Sequence, residues 1–294
     1  MNGKLVPFKD AKIHVLTHAL HYSTAVFEGI RCYNTPTGSA IFRLPEHVDR
    51  FFNSAKLYGM KIRYTKKQIT DAIIKTVKTS GLKECYIRPI AYYGYGTMGL
   101  TPTLNKVDVS ISCWEWKMGE SKAGKFSGAK CKISKWIRID SKSQPMQSKS
   151  AANYSNAALA RVEALKSGYD EAIMLNSNGK VAEGSAENIF IIKNGIIKTP
   201  PLNADILNGI TRKCIFEICR LKKIKIKAGN FKLKSIYSAD FVFASGTAAE
   251  IQKIFKIEKK KYSIKSEIIN LLTKEYNKIK FACPGSVKDL KKIL

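Results

Sequence analysis

The sequence is poor in acidic residues: 23 Asp and Glu stand against 51 Lys and Arg in 294 residues, a formal net charge of +28. Long apolar runs are also absent, since none approaches the roughly 20 residues that a membrane-spanning helix needs. Hydrophobic residues make up 45% of the chain and charged residues 25%, which excludes a disordered or collagen-like protein. The first segment, MNGKLVPFKD, has no apolar signal core. We therefore expect a cytoplasmic protein.

Paired cysteines are missing as well. The seven cysteines are odd in number, and no two have CxxC spacing. This pattern argues against a disulfide framework or a zinc site and favours free thiols. His14, His18 and His21 could line one face of a helix, but no neighbouring cluster of carboxylates or cysteines completes a ligand set. The sequence therefore predicts no metal.

Nucleic-acid-binding motifs are absent despite the positive charge. A charge of +28 raises nucleic acid as a partner. However, the lysines are scattered through amphipathic segments such as KKIKIKAG, and there is no RNP, zinc-finger or KH motif. A nucleic-acid-binding protein stays a remote alternative, because a basic field also attracts anionic substrates.

Helix and strand signals alternate along both halves of the chain. Apolar residues at spacings of three and four predict a helix that opens at Pro45 and ends at Gly59. Thr65 and Gln68 form a capping-box signal for a second helix, which stops at Gly81. The length suggests two domains, and the alternation predicts a two-domain α+β or mixed α/β protein.

A strand is predicted over ECYIRPIAYYGYG, where Pro89 favours an edge or a bulge. Tyr86 and Arg88 share one face of it, because alternate residues of a strand do. Asn194-Gly195 predicts a hairpin. Thr211 is expected to cap a helix, and another helix is expected from about 150 to 167.

The glycine pattern GYGTMG, with Gly94, Gly96 and Gly99, has the glycine spacing of a dinucleotide-binding fingerprint but not its structural context. That motif needs a helix directly after it, whereas LTPTLNKVDVS follows with no helical period. A glycine-rich loop is the better interpretation. The phosphate-loop pattern GxxxxGK[ST] and the GxSxG elbow are absent.

Three features could carry chemistry. Lys149 lies among small residues, where a desolvated lysine can lose its proton and attack a carbonyl, although most lysines here are surface residues. The turns LNGIT (207–211) and SGTAA (245–249) could cradle a phosphate, or could simply be a capped helix and a tight turn. EGSAEN (183–188) holds two acids four residues apart, which need a cation such as a pyridinium or an arginine.

Together these motifs resemble a known family. HALHYSTAVFEGIRCY, FRLPEHVDRFFNSAK, CYIRPI, SKSAANY, AEGSAENIF, LNGITR and FASGTAAEI are similar, in the same order, to the branched-chain amino acid aminotransferases. These are class IV, fold-type IV enzymes that use pyridoxal 5′-phosphate. The resemblance implies a small N-terminal α/β domain (1–115), an interdomain linker (116–129) and a larger C-terminal pseudo-barrel domain (130–294). It also implies at least a homodimer.

The resemblance also implies roles for residues around the cofactor. Lys149 matches the Schiff-base lysine that also carries the proton, and Glu187 matches the acid that pairs with the pyridine nitrogen. The other cofactor contacts that it implies are Arg50, Tyr154, Leu207, Ile210, Thr211 and Thr247. A carboxylate at the ring nitrogen keeps the ring protonated, so that it can accept electrons.

The implied reaction is ping-pong amino transfer between leucine, isoleucine or valine and 2-oxoglutarate, giving glutamate and branched 2-oxo acids. The residues implied in the substrate pocket are Tyr22, Phe27, Arg31, Tyr86, Arg88, Trp116 and Ala248. An arginine in an otherwise apolar wall would accept both an aliphatic side chain and the distal carboxylate of glutamate. D-amino acid aminotransferase and aminodeoxychorismate lyase, which share the fold, are the alternatives. Ala151, Ala152 and Asn208 depart from the family pattern.

Overall fold

A computed structural model describes residues 1–116 and 128–282. The chain divides into two compact units. Among the described residues, the first unit consists of Met1–Trp116 and Ser148–Asn153, and the second of residues 128–147 and 154–282. Most of the predicted linker, residues 117–127, lies outside the described residues, and the domain bounds inferred from the sequence stay a prediction.

The first unit is built on an antiparallel sheet of five strands. They are β1 (Ala25–Phe27), β2 (Ile30–Thr35), β3 (Gly38–Ile41), β4 (Cys85–Tyr93) and β5 (Val107–Trp114). β4 is central, because it pairs with β5 on one side and with β1 and β2 on the other. The prediction of an edge strand or bulge at Pro89 is therefore wrong. Proline is tolerated because the pairing with β1 and β2 is interrupted opposite it, where the Glu28 N–H donates to the Pro89 carbonyl at 2.9 Å.

Three α-helices belong to the first unit: α1 (His18–Tyr22), α2 (Leu44–Leu57) and α3 (Lys66–Ser80). The predicted capping box of α3 is confirmed, with Thr65 as the N-cap and Gly81 as the left-handed C-cap. Val48 and Phe51 of α2 and Ile73 of α3 pack into the same core as β2 and β4. This packing follows from their helical spacing and holds α2 against the sheet.

The second unit is built on a sheet of nine strands. They are β6 (Ala129–Ile133), β7 (Glu171–Leu175), β8 (Val181–Gly184), β9 (Asn188–Lys193), β10 (Ile196–Thr199), β11 (Ile226–Ala228), β12 (Phe241–Gly246), β13 (Glu250–Ile257) and β14 (Lys260–Lys261). A pairing between β8 and β9 closes a ring through β12, β13, β6 and β7. The expected pseudo-barrel is confirmed. The hairpin at Asn194-Gly195 is confirmed too, since both residues have positive φ.

The remaining helices are α4 (Ala151–Lys166), α5 (Ile210–Leu221), α6 (Leu233–Tyr237) and α7 (Glu267–Ala282). The prediction that Thr211 caps a helix is wrong by two positions: Gly209 is the N-cap of α5, and Thr211 lies in its first turn. Within 1–116 and 128–282, no helix is long and apolar enough to cross a membrane.

Candidate active site

Lys149 is held by its backbone in the first unit. Its carbonyl accepts the Phe27 N–H at 3.0 Å, and its own N–H donates to Ser54 Oγ at 2.9 Å. The next residue, Ser150, forms a bridge with Val26 of β1. The side chain is half-buried, and its Nζ lies 5.1 Å from the centroid of the Phe27 ring. Lys149 is therefore fixed between a strand and a helix, with its amine over an aromatic face.

Helix α2 presents His47, Arg50 and Ser54 on one face, because they are three and four residues apart. Glu28, between β1 and β2, is fully buried against this face. Its Oε1 accepts Arg50 Nε at 2.6 Å, and its Oε2 accepts Arg50 Nη2 at 2.9 Å. His47 Nδ1 lies 2.6 Å from the same Oε2.

The ionisation of this cluster follows from burial and charge. Burial raises the pKa of Glu28, but the Arg50 and His47 contacts outweigh it and bring the pKa far below its ordinary value of 4.5. Burial lowers the pKa of His47 below 6.5, and the Glu28 carboxylate opposes this only in part. Near neutral pH, Glu28 is therefore a carboxylate and His47 is neutral.

An aromatic wall surrounds Arg88 in the same unit. Its guanidinium carbon lies 4.6 Å from the ring centroid of Phe27 and 5.5 Å from that of Tyr86. Trp116 stands against Tyr86, with 4.9 Å between the ring centroids. Arg88 Nε is buried and has no hydrogen-bond partner among the described residues. The shared strand face predicted for Tyr86 and Arg88 is present, and it combines one cation with apolar rings.

Two predicted substrate residues of the first unit have other contacts. Arg31 is only 1% exposed and its Nη2 pairs with Glu84 at 2.8 Å. The Tyr22 hydroxyl donates to the Met98 carbonyl at 3.0 Å, and the residue is 39% exposed. Arg31 is thus embedded in the unit, whereas Tyr22 has surface available to a ligand.

In the second unit, Glu183 has the more enclosed position of the two EGSAEN acids. Its Oε1 pairs with Arg138 Nη2 at 2.8 Å, with both side chains almost fully buried. Its Oε2 accepts Asn188 Nδ2 at 3.0 Å and the Leu207 N–H at 3.1 Å. Glu187 is half-buried. The arginine partner left open by the sequence is therefore present, at Glu183.

The turns LNGIT and SGTAA both pack against EGSAEN. A Cβ added at Gly209 would collide with Asn188 Oδ1, and one at Gly246 would come within 3.3 Å of the Ala186 carbonyl and Glu187 Cγ. A side chain at either position would require these neighbours to shift, whereas glycine lets the segments approach as they are. The register agrees, since Ser245 of β12 pairs with Asn188 of β9. Three of the motifs noted in the sequence thus meet within the second unit.

The amino terminus of α5 lies at this meeting point. The structure records no side-chain cap at Gly209 among the described residues, so the backbone N–H groups of the first turn are suited to an anion. Ile210 and Thr211 are buried there, while Tyr154, Leu207, Thr247 and Ala248 are half-buried. Ser245 Oγ is buried without a hydrogen-bond partner in the described chain. This donor set suits a phosphate, and the nearby acids suit a protonated ring nitrogen.

The side chains of His18 and His21, which the sequence raised as possible metal ligands, form hydrogen bonds within the first unit. His18 bonds Thr24 Oγ1 at 2.8 Å and the Gly99 carbonyl at 2.9 Å, and His21 bonds the Val15 carbonyl at 2.9 Å. Across 1–116 and 128–282, no three His, Cys, Asp or Glu side chains form a group that could hold a metal ion.

The model of the amino-transferase class IV family matches residues 25–257. The chain is 42% identical over 260 residues to a branched-chain-amino-acid aminotransferase of Pseudomonas aeruginosa, covering 88% of this chain and 84% of the relative. It is also 36% identical to a branched-chain-amino-acid aminotransferase of Escherichia coli K12, covering 87% of this chain and 84% of the relative. The chain belongs to the class IV aminotransferases, in the branched-chain-amino-acid aminotransferase family. The resemblance inferred from the sequence is confirmed.

Solved structures agree with this assignment. A branched-chain aminotransferase of Thermoproteus uzoniensis with norvaline superposes with a TM-score of 0.92 at 36% identity, covering 96% of this chain and 93% of the other. A branched-chain amino acid aminotransferase of Thermobaculum terrenum in its PLP form has a TM-score of 0.89 at 29% identity, with 96% and 92% covered. The expected fold class is confirmed.

Sequence reasoning did not single out Glu28, His47 or Arg138. Glu28 and His47 lie inside the quoted motifs VFEGIR and PEHVDR, but a sequence does not reveal which polar residues are buried against one another. The spacing of His47, Arg50 and Ser54 on one helix face was the available signal. Arg138 lies outside every motif.

Proposed function

We propose that this chain is a transaminase that uses pyridoxal 5′-phosphate to move an amino group between leucine, isoleucine or valine and 2-oxoglutarate. The products are glutamate and branched 2-oxo acids. The observation that carries the proposal is Lys149, which is fixed by its backbone to β1 and α2 and holds its amine over the Phe27 ring. Family membership and the names of the relatives support it.

Lys149 is the proposed catalytic residue. When bound, the cofactor supplies an aldehyde for the amine and a ring that accepts the electrons of the substrate Cα–H bond. Lys149 Nζ would hold the cofactor covalently until the substrate amine displaces it. The freed amine would then take the proton from the substrate Cα, and in the reverse half-reaction it would give a proton to the Cα of the new amino acid. The backbone bonds to Phe27 and Ser54 limit where this amine can be.

An acid of EGSAEN is proposed to face the ring nitrogen and keep it protonated. Glu187, expected from the sequence, stays a candidate. The geometry favours Glu183, because it is buried and accepts the N–H of Leu207, the residue expected to pack on the ring. Its ion pair with Arg138 keeps it charged, as a partner of a protonated nitrogen must be.

Phosphate contacts are proposed for each unit taken by itself. In the first unit the contact is Arg50, and in the second unit the contacts are Ile210 and Thr211 in the first turn of α5 and Thr247 in the SGTAA turn. A guanidinium and helix N–H groups are the donors that phosphate prefers. Tyr154 is proposed to donate to the phenolic oxygen of the ring.

The substrate is proposed to meet the aromatic wall. Phe27, Tyr86 and Trp116 offer apolar contact to a branched side chain, and the Arg88 guanidinium among them suits the distal carboxylate of glutamate or 2-oxoglutarate. Tyr22 in the first unit and Ala248 in the second unit stay proposed substrate residues, as the family resemblance implies. Arg31 also stays a proposed substrate residue, although its pairing with Glu84 favours a supporting role.

The absorption spectrum of the purified chain tests the proposal. We expect a band in the violet that bleaches on addition of L-leucine and returns with 2-oxoglutarate. D-leucine and D-alanine serve as controls, and a response to these alone would instead favour a D-amino acid aminotransferase. A chain that binds no chromophore under reconstitution with pyridoxal 5′-phosphate would overturn the proposal.

A homodimer is proposed from the exposed apolar residues of the first unit. Leu20 is 62%, Leu100 79% and Leu104 83% exposed. Leu20 and Leu100 belong to connected segments, because α1 bonds the 98–99 carbonyls through His18 and Tyr22. Sedimentation equilibrium should give at least twice the chain mass of 32.9 kDa, and a monomer would contradict this.

We also propose a cytoplasmic location. The cysteines among the described residues are free thiols, which are typical of a reducing compartment.

A further inference from the structure

The buried carboxylate of Glu28 forms a two-point ion pair with the Arg50 guanidinium. It contacts both Nε and Nη2, at 2.6 and 2.9 Å. A two-point contact of this kind fixes the plane of a guanidinium as well as its position. The direction in which Arg50 presents its remaining donors therefore depends on Glu28.

Glu28 cannot meet a ligand itself. Its side chain is 0% exposed, while that of Arg50 is 12% exposed. The backbone of Glu28 is anchored to the central strand through Pro89, and His47 donates to its Oε2 at 2.6 Å. Direct contact between Glu28 and a bound molecule is therefore excluded, and Arg50 is the partner of Glu28 that has exposed surface for a ligand.

The same helix face serves Lys149. Ser54, one turn beyond Arg50, accepts the Lys149 N–H through its Oγ, and its carbonyl accepts the Ser148 hydroxyl at 3.1 Å. One continuous series of contacts within the first unit thus runs from the sheet through the Glu28 carboxylate and Arg50 to the backbone of Lys149. By fixing the Arg50 guanidinium, Glu28 therefore also fixes its position relative to the Lys149 backbone.

We propose that Glu28 is a positioning residue that fixes the Arg50 guanidinium for the phosphate of the cofactor. This rests on the proposed role of Arg50 in phosphate binding. The Glu28 carboxylate, held by the sheet and by neutral His47, prevents Arg50 from turning away when the phosphate arrives. Preorganisation of this kind strengthens binding of the phosphate but not of the ring.

The test compares pyridoxal 5′-phosphate with pyridoxal, which lacks the phosphate. Glu28→Asp keeps the charge and withdraws the carboxylate by one methylene, so only the geometry of the ion pair changes. Dissociation constants of both compounds are measured on the full chain freed of cofactor, by absorption and tryptophan quenching. We expect the preference for the phosphorylated compound to fall about tenfold, the weight of one charge-assisted hydrogen bond. Glu46→Asp, the same exchange on α2, should leave it unchanged.

Arg50→Lys separates the possible failures. It should lower the phosphate preference by itself, because lysine lacks the fork, and Glu28→Asp should then add nothing. An equal loss of affinity for both compounds in Glu28→Asp, an unchanged preference, or an undiminished effect in the Arg50→Lys background would each overturn the role of Glu28. An unchanged preference in Arg50→Lys would instead reject Arg50 as the phosphate ligand.

Should Glu28→Asp fail to fold, His47→Asn provides a second route. It removes one support of the carboxylate and leaves the charges of Glu28 and Arg50 in place. The preference for the phosphorylated compound should again fall, by less than in Glu28→Asp. An unchanged preference in a folded His47→Asn chain would contradict the proposed series of contacts.

Discussion

At the scale of single residues, the backbone and the side chain of Lys149 have separable tasks. Its position comes from main-chain bonds to Phe27 and Ser54, which any residue except proline could make. Its chemistry comes from Nζ alone. A change of the side chain should therefore remove the chemistry without disturbing the fold.

Replacing Lys149 by alanine should abolish covalent attachment of the cofactor and lower turnover by a factor on the order of 10³ or more. Mass spectrometry after borohydride reduction and steady-state rates measure the two effects. Lys142→Ala, an exposed lysine in the same stretch, is the matched control. Normal turnover in Lys149→Ala would remove the basis of the proposed function.

The two acids of EGSAEN should respond differently to loss of charge. We expect Glu183→Gln to slow turnover by roughly a hundredfold, because the ring nitrogen loses its charged partner. Glu187→Gln should act more weakly. Rate constants and thermal unfolding are measured together, since Glu183→Gln also leaves Arg138 buried without its ion pair. The opposite ranking at similar stability would return the role to Glu187.

The buried His47 should make the protein sensitive to mild acid. The pKa of His47 lies below the ordinary 6.5 in the folded state. Just below pH 6.5, His47 is therefore protonated more fully in the unfolded chain than in the folded chain. Stability from this residue is complete above pH 6.5 and is lost as the pH falls, by up to about 1.4 kcal/mol per pH unit. Glu28, whose pKa is also lowered, adds a loss below its ordinary 4.5.

Urea unfolding at pH 7.5, 6.5 and 5.5 checks this expectation. His47→Asn should flatten the decline between pH 6.5 and 5.5. Parallel curves for the two proteins would show that His47 takes up its proton equally well in both states.

At the scale of elements, α7 is tied to the start of β13 by a buried ion pair. Lys280 Nζ contacts both oxygens of Glu250, at 2.8 and 3.0 Å. Glu250 has a positive φ of 55° and directly follows the SGTAA turn. Helix α7 lies beyond the motifs of the family resemblance, yet it supports the residue that ends this turn.

Lys280→Met should lower the free energy of unfolding by about 3 kcal/mol, because it leaves Glu250 buried without its cation. Pairing it with Glu250→Gln should restore much of the loss. Urea unfolding of the two single variants and the double variant measures the coupling. Strict additivity would show that the contact contributes nothing.

Elements with a strong local signal could be predicted from the sequence. Helices α2 and α3 were marked by spacing and capping, and the β9–β10 hairpin by Asn194-Gly195. The prediction of an edge strand or bulge at Pro89 was wrong because proline is tolerated there through an interruption in the neighbouring strands. The N-cap of α5 was assigned to Thr211 instead of Gly209 because Gly209 has no side chain that would mark it as a cap. Local rules do not contain such tertiary facts.

At the scale of the whole molecule, the order of the motifs predicted the family and the fold class, and both are confirmed. The roles of Lys149 and the other site residues stay predictions. Buried pairs such as Glu28 with Arg50, or Glu183 with Arg138, could not be predicted, because they join residues far apart in the chain through burial. Closure of the barrel through β8 and β9 is likewise a tertiary event.

Among the described residues, the first unit contains two separate pieces of chain, since Ser148–Asn153 belongs to it together with Met1–Trp116. During synthesis on a ribosome, Phe27 and Ser54 emerge long before the lysine whose backbone they bind. This unit therefore cannot complete its hydrogen bonding until translation has passed residue 150. A truncated polypeptide that stops at 116 would be an unfinished intermediate, and supplying the missing peptide in trans would be the way to complete it.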